Sequence, residues 1–188
     1  PWAFSTGFTI KRFPCGAIQQ AVMEEVLRVA TRIDLRADDV EKVEVGGTAG
    51  TVTTLFRHRP TTGLHAKFSM EFVVSILILD RQAGLTQFTD EVVRRRDVQD
   101  LLRRVTFSAD ADAAREGFSL KIYLRDGTVL SSRAPTARGH VRNQMSYEEV
   151  AAKFRENAAY ARWPAAKTES VIDLVRSLDR TADMGGLT

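Results

Sequence analysis

The first clear pattern along the chain is a series of apolar residues that recurs every three or four positions. It comprises Ile18, Val22, Val26, Val29 and Ile33. Polar and charged side chains fill most of the positions between them, so one face of the segment is apolar and the other is polar. This spacing predicts an amphipathic helix over residues 17–32.

Two later segments are also typical of helices. Residues 66–79 are apolar nearly all round and contain many β-branched side chains, so periodicity alone does not separate helix from strand. The segment is long for a strand, which favours a buried helix. Residues 92–104 are amphipathic and rich in arginine, and they predict a helix whose apolar stripe consists of Val98, Leu101 and Leu102.

Alternating segments predict strands. Val43 and Val45 alternate with charged residues before two glycines, which predicts a short strand. Residues 48–63 are rich in Thr, Gly and Pro and favour a loop, with a short strand near residues 52–56.

A second alternating pattern predicts a hairpin. Residues 120–124 alternate between aliphatic and polar side chains, and Asp126-Gly127 follows. An Asp-Gly pair at this place predicts a turn in which both residues adopt positive φ. The return strand covers residues 128–132, and residues 105–108 are a candidate third strand.

The C-terminal part of the chain predicts two helices. Ser146 and Glu149 have the spacing of a capping box, which predicts a helix over residues 147–162 that ends at a Trp-Pro pair. Apolar spacing predicts a last helix over residues 167–178. The tail at residues 184–188 is expected to fray.

Together these elements predict an α+β fold: a small antiparallel sheet with flanking helices, followed by a C-terminal helical segment. We assign residues 1–143 to the α+β domain and residues 144–188 to the C-terminal helices, with the joint at residues 133–145. A chain of 188 residues is long enough to bury a substantial core.

Composition bounds the class of protein. Hydrophobic residues at 44% and charged residues at 27% are typical of a soluble globular protein. The longest apolar run, residues 72–79, is too short to cross a bilayer, and no signal-peptide pattern is visible.

The first residue is not Met, which fits a processed or truncated chain. The single cysteine, Cys15, cannot form an internal disulfide, and no zinc-type spacing of Cys and His occurs, so we expect a cytoplasmic protein without a structural metal.

The charge pattern bears on partners. Arginines at 94–96 and 103–104 could form a nucleic-acid patch, but acidic residues are interleaved with them and no aromatic platform accompanies them. A net charge of +3 is only mildly basic. We therefore expect a solvated helix face, and neither nucleic acid nor a membrane as a partner.

Several stretches, taken in order, carry a family resemblance. Residues 7–15 contain Lys-Arg-Phe-Pro before a helix, and residues 38–45 read Asp-Asp-Val-Glu-Lys-Val-Glu-Val. Residues 60–80 contain Ala-Lys-Phe-Ser, a Gly-His pair lies at 139–140, and residues 145–157 end in a Lys-Phe stretch. In this order and spacing they resemble the second half of proteins of the MmgE/PrpD family.

The resemblance implies a large helical domain that would precede residue 1 and a smaller α+β lid, with the active site between them. This chain then corresponds to the lid and final helices of a cofactor-free lyase or isomerase that acts on a small polycarboxylate, as 2-methylcitrate dehydratase does. A homodimer is implied as well. Because the acid–base Asp and His residues of the family come mainly from the missing helical domain, we expect no turnover from this chain alone.

The reactions of this family build charge on a substrate carboxylate, which a fixed cation stabilises. Lys11 matches the lid lysine of the family, which implies a catalytic role in binding or polarising that carboxylate; a solvated lysine before a helix is the alternative. Lys67 and His65, just before the apolar helix, are candidate substrate-binding residues. The alternative for Lys67 is a lysine whose aliphatic stem lies on apolar surface while its ammonium group reaches water. The alternative for His65 is a loop histidine without a binding role.

Other notable residues indicate structural roles or departures from the family. We expect His58 at the surface, His140 in hydrogen bonds of the joint, and Cys15 in apolar surroundings. Phe72 stands where relatives carry a tyrosine, and Gln20 stands where the family often carries a histidine. Both changes remove groups that transfer protons, so the substrate or reaction can differ from those of named members.

An alternative function is a non-catalytic, freestanding module for partner binding or oligomerisation. The enzyme hypothesis makes a different prediction for residues 147–178. Their helices should expose an apolar face that the missing helical domain normally covers.

Overall fold

The computed structural model describes residues 7–55, 57–134 and 136–180. The chain divides into two compact units, Pro1–Gln144 and Met145–Thr188. The elements of the first unit are α1 (Gln20–Arg32), β1 (Val40–Gly47), α2 (Ala49–Thr54), α3 (Gly63–Ala66), α4 (Met70–Asp80), α5 (Asp90–Val93), α6 (Arg96–Leu102), β2 (Val105–Ala109), α7 (Ala113–Glu116), β3 (Ser119–Leu124) and β4 (Val129–Arg133). Those of the second unit are α8 (Tyr147–Tyr160) and α9 (Ala165–Arg176).

The sheet of the first unit has the strand order β2-β1-β3-β4. Strand β3 pairs antiparallel with both β1 and β4, so that Val43 lies opposite Ile122 and Ile122 opposite Leu130. Strand β2 pairs parallel with β1, with Val45 opposite Phe107. The α+β fold and the third strand are confirmed, but the sheet is mixed. The helices between β1 and β2 return the chain so that both strands run in the same direction.

Helix α4 lies at the centre of the core, which confirms the buried helix predicted within residues 66–79. All of its residues from Met70 to Ile78 are buried, and it contacts α1, α6 and β2. A helix that is apolar all round is stable only when neighbours cover every side. The helix begins where the Ser69 hydroxyl accepts a hydrogen bond from the Phe72 N–H.

Helix α1 confirms the amphipathic helix predicted over residues 17–32. A single 3-10 turn, Ala17–Gln19, leads directly into it. Its buried face includes Val22, Val26 and Val29, which belong to the predicted apolar series. This face packs on α4, so the periodicity in the sequence identified the core side of the helix.

The short strand predicted near residues 52–56 was wrong, because helix α2 occupies Ala49–Thr54. Its start is capped by Thr48, whose side-chain oxygen accepts from the Thr51 N–H at 3.2 Å. This cap satisfies an N–H group of the first turn and outweighs the strand preference of the Val and Thr residues. Phe56, the last residue of the predicted strand, lies outside the described residues.

The single helix predicted over residues 92–104 is two short helices, α5 and α6. Arg95 separates them, with an extended backbone at ψ 137°. Its guanidinium group lies 2.8 Å from an Asp80 oxygen and 2.7 Å from an Asp97 oxygen, which ties this break to the end of α4. The predicted apolar stripe is nevertheless buried: Val98, Leu101 and Leu102.

The predicted hairpin is confirmed, but its turn differs. Leu124 N–H donates to the Thr128 carbonyl at 2.8 Å, and Gly127 N–H donates to the Leu124 carbonyl at 3.0 Å. Gly127 has φ of 88°, whereas Asp126 does not adopt positive φ. The loop therefore contains three residues, 125–127, with glycine at the left-handed position, in place of the two-residue turn that the Asp-Gly pair suggested.

Helices α8 and α9 of the second unit confirm the two predicted C-terminal helices. The capping box is present: the Ser146 N–H donates to the Glu149 carboxylate at 2.7 Å, and the Glu149 N–H donates to the Ser146 hydroxyl at 3.2 Å. Arg155 and Glu169 join the two helices through a bidentate ion pair at 2.6 and 2.7 Å.

Helix α8 ends at Tyr160, slightly before the predicted residue 162. Arg162 adopts a left-handed conformation with φ of 58°, and the Trp163 N–H donates to the Ala158 carbonyl at 2.9 Å. This is the Schellman arrangement that satisfies the last carbonyl groups of a helix. The predicted frayed tail at residues 184–188 lies outside the described residues. No helix in the described part of the chain has the length and apolar character to span a membrane.

Candidate functional site

The Lys11 segment, residues 11–16, carries the predicted catalytic lysine into α1. The side chains of Phe13 and Cys15 are buried in the core, whereas Lys11 is exposed. The Lys11 ammonium donates to the Cys15 carbonyl at 2.9 Å. Since an ammonium group has three donors, others remain available for a ligand.

Gln20 fixes this segment to α1. Its side-chain oxygen accepts from the Phe13 N–H at 3.0 Å, and its side-chain nitrogen donates to the Phe13 carbonyl at 3.1 Å. The same nitrogen lies 3.2 Å from the Gly16 carbonyl oxygen. Gln20 is buried, so its amide is fully used within the fold. Sequence reasoning treated this residue only as a missing histidine and did not anticipate its role in positioning Lys11.

Two contacts bring the Lys11 segment to the start of α4. The Gly16 N–H donates to the Lys67 carbonyl at 3.0 Å. Gln19 accepts from the Gly16 N–H at 3.0 Å and donates to the Ser69 carbonyl at 2.9 Å. The C-terminal end of the Lys11 segment is therefore held against the backbone of Lys67 and Ser69, although the two stretches are far apart in sequence.

Lys67 and His65, the predicted substrate-binding residues, lie at the end of α3 and just after it. The hydroxyl of Thr62 caps this helix by accepting from the His65 N–H at 3.3 Å. Both side chains are half-buried, and neither has a hydrogen-bond or ion-pair partner among the residues that the structure describes. Their side-chain polar groups are therefore not committed to a partner within the described ranges of the chain.

The other residues singled out in the sequence make contacts that stabilise the fold. Phe72 is fully buried, and its ring centroid lies 5.5 Å from that of Phe88. Cys15 is buried as expected, with its sulfur 3.3 Å from the Met23 sulfur. His140 accepts from the Arg142 N–H at 3.2 Å, which agrees with a structural role in the joint.

One polar pair was missed from the sequence. Nδ1 of His58 lies 2.7 Å from a carboxylate oxygen of Glu71, whose other oxygen accepts from the Ser69 hydroxyl at 3.1 Å. His58 is at the surface as expected, but Glu71 is buried. The available signal was a glutamate within an otherwise apolar helix, because a buried carboxylate needs a partner.

Comparison with known proteins identifies the family. A profile of the MmgE/PrpD C-terminal domain matches residues 13–180. The chain belongs to the MmgE/PrpD family. It is 30% identical over 161 residues to cis-aconitate decarboxylase of Mus musculus, covering 84% of this chain and 30% of that protein. It is 28% identical over 135 residues to cis-aconitate decarboxylase of Homo sapiens, covering 69% of this chain and 27% of that protein.

The comparisons also show how much of the relative's length and of the candidate site is matched. The chain spans about 30% of the length of the mouse relative. The MmgE/PrpD match begins at Phe13, so Gln20, Lys67 and Phe72 lie inside the matched region and Lys11 lies just before it.

Within the described ranges 7–55, 57–134 and 136–180, no three His, Cys, Asp or Glu side chains are grouped closely enough to hold a metal ion.

Proposed function

We propose that this chain is the C-terminal, lid-type part of a cofactor-free lyase or isomerase that acts on a small polycarboxylate. The observation that carries the proposal is the MmgE/PrpD match over residues 13–180. Two relatives are named for the decarboxylation of cis-aconitate, which is a small polycarboxylate. Dehydration of a substrate like 2-methylcitrate and decarboxylation of one like cis-aconitate are the two candidate reactions.

Lys11 is the proposed catalytic residue of the lid. Loss of a proton or of carbon dioxide next to a carboxylate builds negative charge on that carboxylate, and a fixed cation stabilises the charge. The hydrogen bond to the Cys15 carbonyl restricts the ammonium group, while Gln20 restricts the backbone that carries it. A cation that is already in place needs little reorganisation during the reaction.

Lys67 and His65 are the proposed substrate-binding residues. A polycarboxylate has several anionic groups, so more than one cationic or hydrogen-bonding residue is needed to orient it. Lys67 lies beside the Lys11 segment through the Gly16–Lys67 backbone hydrogen bond. Phe72 has no hydroxyl, so proton transfer in this protein must use other groups.

The acid–base residues are proposed to come from a helical domain that precedes this chain in a longer, cytoplasmic and homodimeric protein. In that case the chain alone has no turnover. A non-catalytic module for partner binding or oligomerisation is the second candidate. The exposed apolar side chains of Trp163 and Val175 in the second unit fit either a covering domain or a separate partner.

The test is substrate profiling of the complete protein with cis-aconitate and 2-methylcitrate. We expect Lys11→Ala to lower kcat/KM by about a hundredfold or more, as loss of one charge-stabilising group does. Lys121→Ala is the matched control, because Lys121 is an exposed lysine of β3. Thermal unfolding of both variants checks that the Lys11–Cys15 hydrogen bond is not needed for folding.

Each outcome has a separate meaning. Full activity of Lys11→Ala would contradict the role of Lys11 and leave the enzyme class intact. Absence of turnover with every polycarboxylate tested would contradict the enzyme class and favour the binding module.

A further inference from the structure

The His58–Glu71 pair has an arrangement that the proposed lid function does not use. The Glu71 side chain is 5% exposed and belongs to the core helix α4, whereas the His58 side chain is 53% exposed. A buried carboxylate is costly unless it is paired and hydrogen-bonded. Both of its oxygens are used, one by His58 and one by the Ser69 hydroxyl.

This pairing fixes the orientation of the imidazole ring. The Nδ1 edge faces Glu71 at 2.7 Å, and the Nε2 atom lies on the opposite side of the ring. Glu71 therefore occupies the Nδ1 edge of the ring only, and the Nε2 edge is not used by this carboxylate.

A groove of about 210 Å³ opens beside the pair. Its polar lining consists of His58, Arg59, Glu71, Arg103 and Thr106. Arg59 has no partner among the residues that the structure describes. Arg103 donates to Asp100 at 2.7 Å through one of its nitrogens, which leaves other N–H groups of the guanidinium.

The charges that face the groove are unbalanced. Glu71 comes from α4, Arg59 from the segment before Pro60, and Arg103 from the end of α6, whereas β2 contributes only uncharged side chains. The single carboxylate is already bonded to His58 and Ser69. Two guanidinium groups therefore line a small space whose lining residues offer no further carboxylate.

We propose that this groove binds a small oxyanion, namely a carboxylate or phosphate group, through the guanidinium groups of Arg59 and Arg103, beside the imidazole ring of His58. Arginine suits this role because its planar fork matches two oxygens of such a group. The Thr106 hydroxyl is a further donor in the lining. The groove lining does not include Lys11, Lys67 or His65. Evidence against the lid function is therefore not evidence against this site, and the reverse also holds.

The test follows the histidine ring signals by NMR in the full chain, which contains three histidines. Inorganic phosphate and acetate, a monocarboxylate, are titrated separately at about pH 6, with sodium chloride at matched ionic strength as the reference. We expect the His58 signal to shift saturably while the signals of His65 and His140 stay nearly constant. A response to only one anion identifies whether phosphate or carboxylate is preferred.

Two arginine variants complete the test. We expect Arg59→Gln to weaken binding about tenfold, as loss of a charged hydrogen-bond donor does. Arg36→Gln is the matched control, because Arg36 is exposed and lies outside the lining of the groove, and it should bind as the unchanged chain does.

The proposal is overturned if neither anion shifts the His58 signal saturably. It is equally overturned if all three histidines shift together, or if both arginine variants lose the same affinity. In those cases the anions act by general screening and the His58–Glu71 pair is only a structural contact.

Discussion

At the residue scale, Gln20 holds the Lys11 segment in place with both ends of its amide. Gln20→Ala would leave the N–H and carbonyl of buried Phe13 without their partner, and each buried unpaired group costs about 1–3 kcal/mol. We expect the free energy of unfolding, measured in urea, to fall by about 2–4 kcal/mol. Gln82→Ala, at an exposed position, is the control and should change it by less than about 0.5 kcal/mol. Equal effects of the two substitutions would contradict the role of Gln20 in holding the Lys11 segment.

Gly63 is a second position where one side chain decides stability. A Cβ atom there would lie 2.1 Å from the Phe88 carbonyl oxygen, which is part of the backbone and cannot move aside. Gly63→Ala should therefore destabilise the fold by about 1–3 kcal/mol. Gly50→Ala provides the contrast, because a Cβ there meets nothing within 4 Å and the residue lies in α2. We expect it to stabilise by about 0.5–1 kcal/mol in the same urea assay. Two substitutions with the same sign would contradict this pair of predictions.

At the scale of elements, Glu25 links α1 to the sheet. Its carboxylate binds Arg28 at 2.6 and 2.9 Å, and this hydrogen bond is the main reason that the pKa of Glu25 is lowered, with Ser132 of β4 also contributing. A lowered folded-state pKa means that the charged group stabilises the fold above its unfolded pKa of about 4.3. That stabilisation is lost as the pH falls through the folded pKa.

Glu25→Gln tests this linkage between α1 and β4. Because Arg28 is half exposed, we expect a loss of only about 1 kcal/mol in unfolding free energy near neutral pH. The difference from the unchanged chain should shrink as the pH falls below about 4. Glu156→Gln, on the exposed surface of α8, is the control and should change the unfolding free energy by less than about 0.5 kcal/mol near neutral pH. A pH-independent loss from Glu25→Gln would show that the effect comes from packing rather than charge.

The elements that sequence patterns predicted are those with local causes. Apolar periodicity located α1, the capping box located α8, and the alternating strands located the hairpin of β3 and β4. Two of the features that were missed depend on contacts that are distant in sequence. The parallel pairing of β2 with β1 requires a crossover, and the break at Arg95 depends on Asp80 at the end of another helix.

The candidate site shows the same division. The Lys-Arg-Phe-Pro motif indicated Lys11, but the hydrogen bonds of Gln20 to Phe13 and of Gly16 to the Lys67 carbonyl became visible only in three dimensions. The pairing of His58 with Glu71 also joins separate segments. A charged residue inside an apolar helix was the one local sign that such a partner exists.

At the scale of the whole molecule, the chain covers about 30% of the length of its mouse relative. The second unit has exposed large apolar side chains: Tyr147, Tyr160, Trp163, Val175 and Leu178. Apolar surface of this kind on a small unit often marks an interaction site. We therefore keep the prediction that a preceding helical domain covers these helices in the longer protein.

Trp163 allows this prediction to be measured, since it is 41% exposed in the chain. With every other tryptophan replaced by phenylalanine, acrylamide quenching of Trp163 is compared between this chain and the longer protein. We expect a lower quenching constant in the longer protein, because the covering domain excludes the quencher. In concentrated urea the two constants should agree, which controls for differences between the chains. Equal quenching under native conditions would show that the apolar face remains uncovered, and the module for partner binding would then explain it better than a lid.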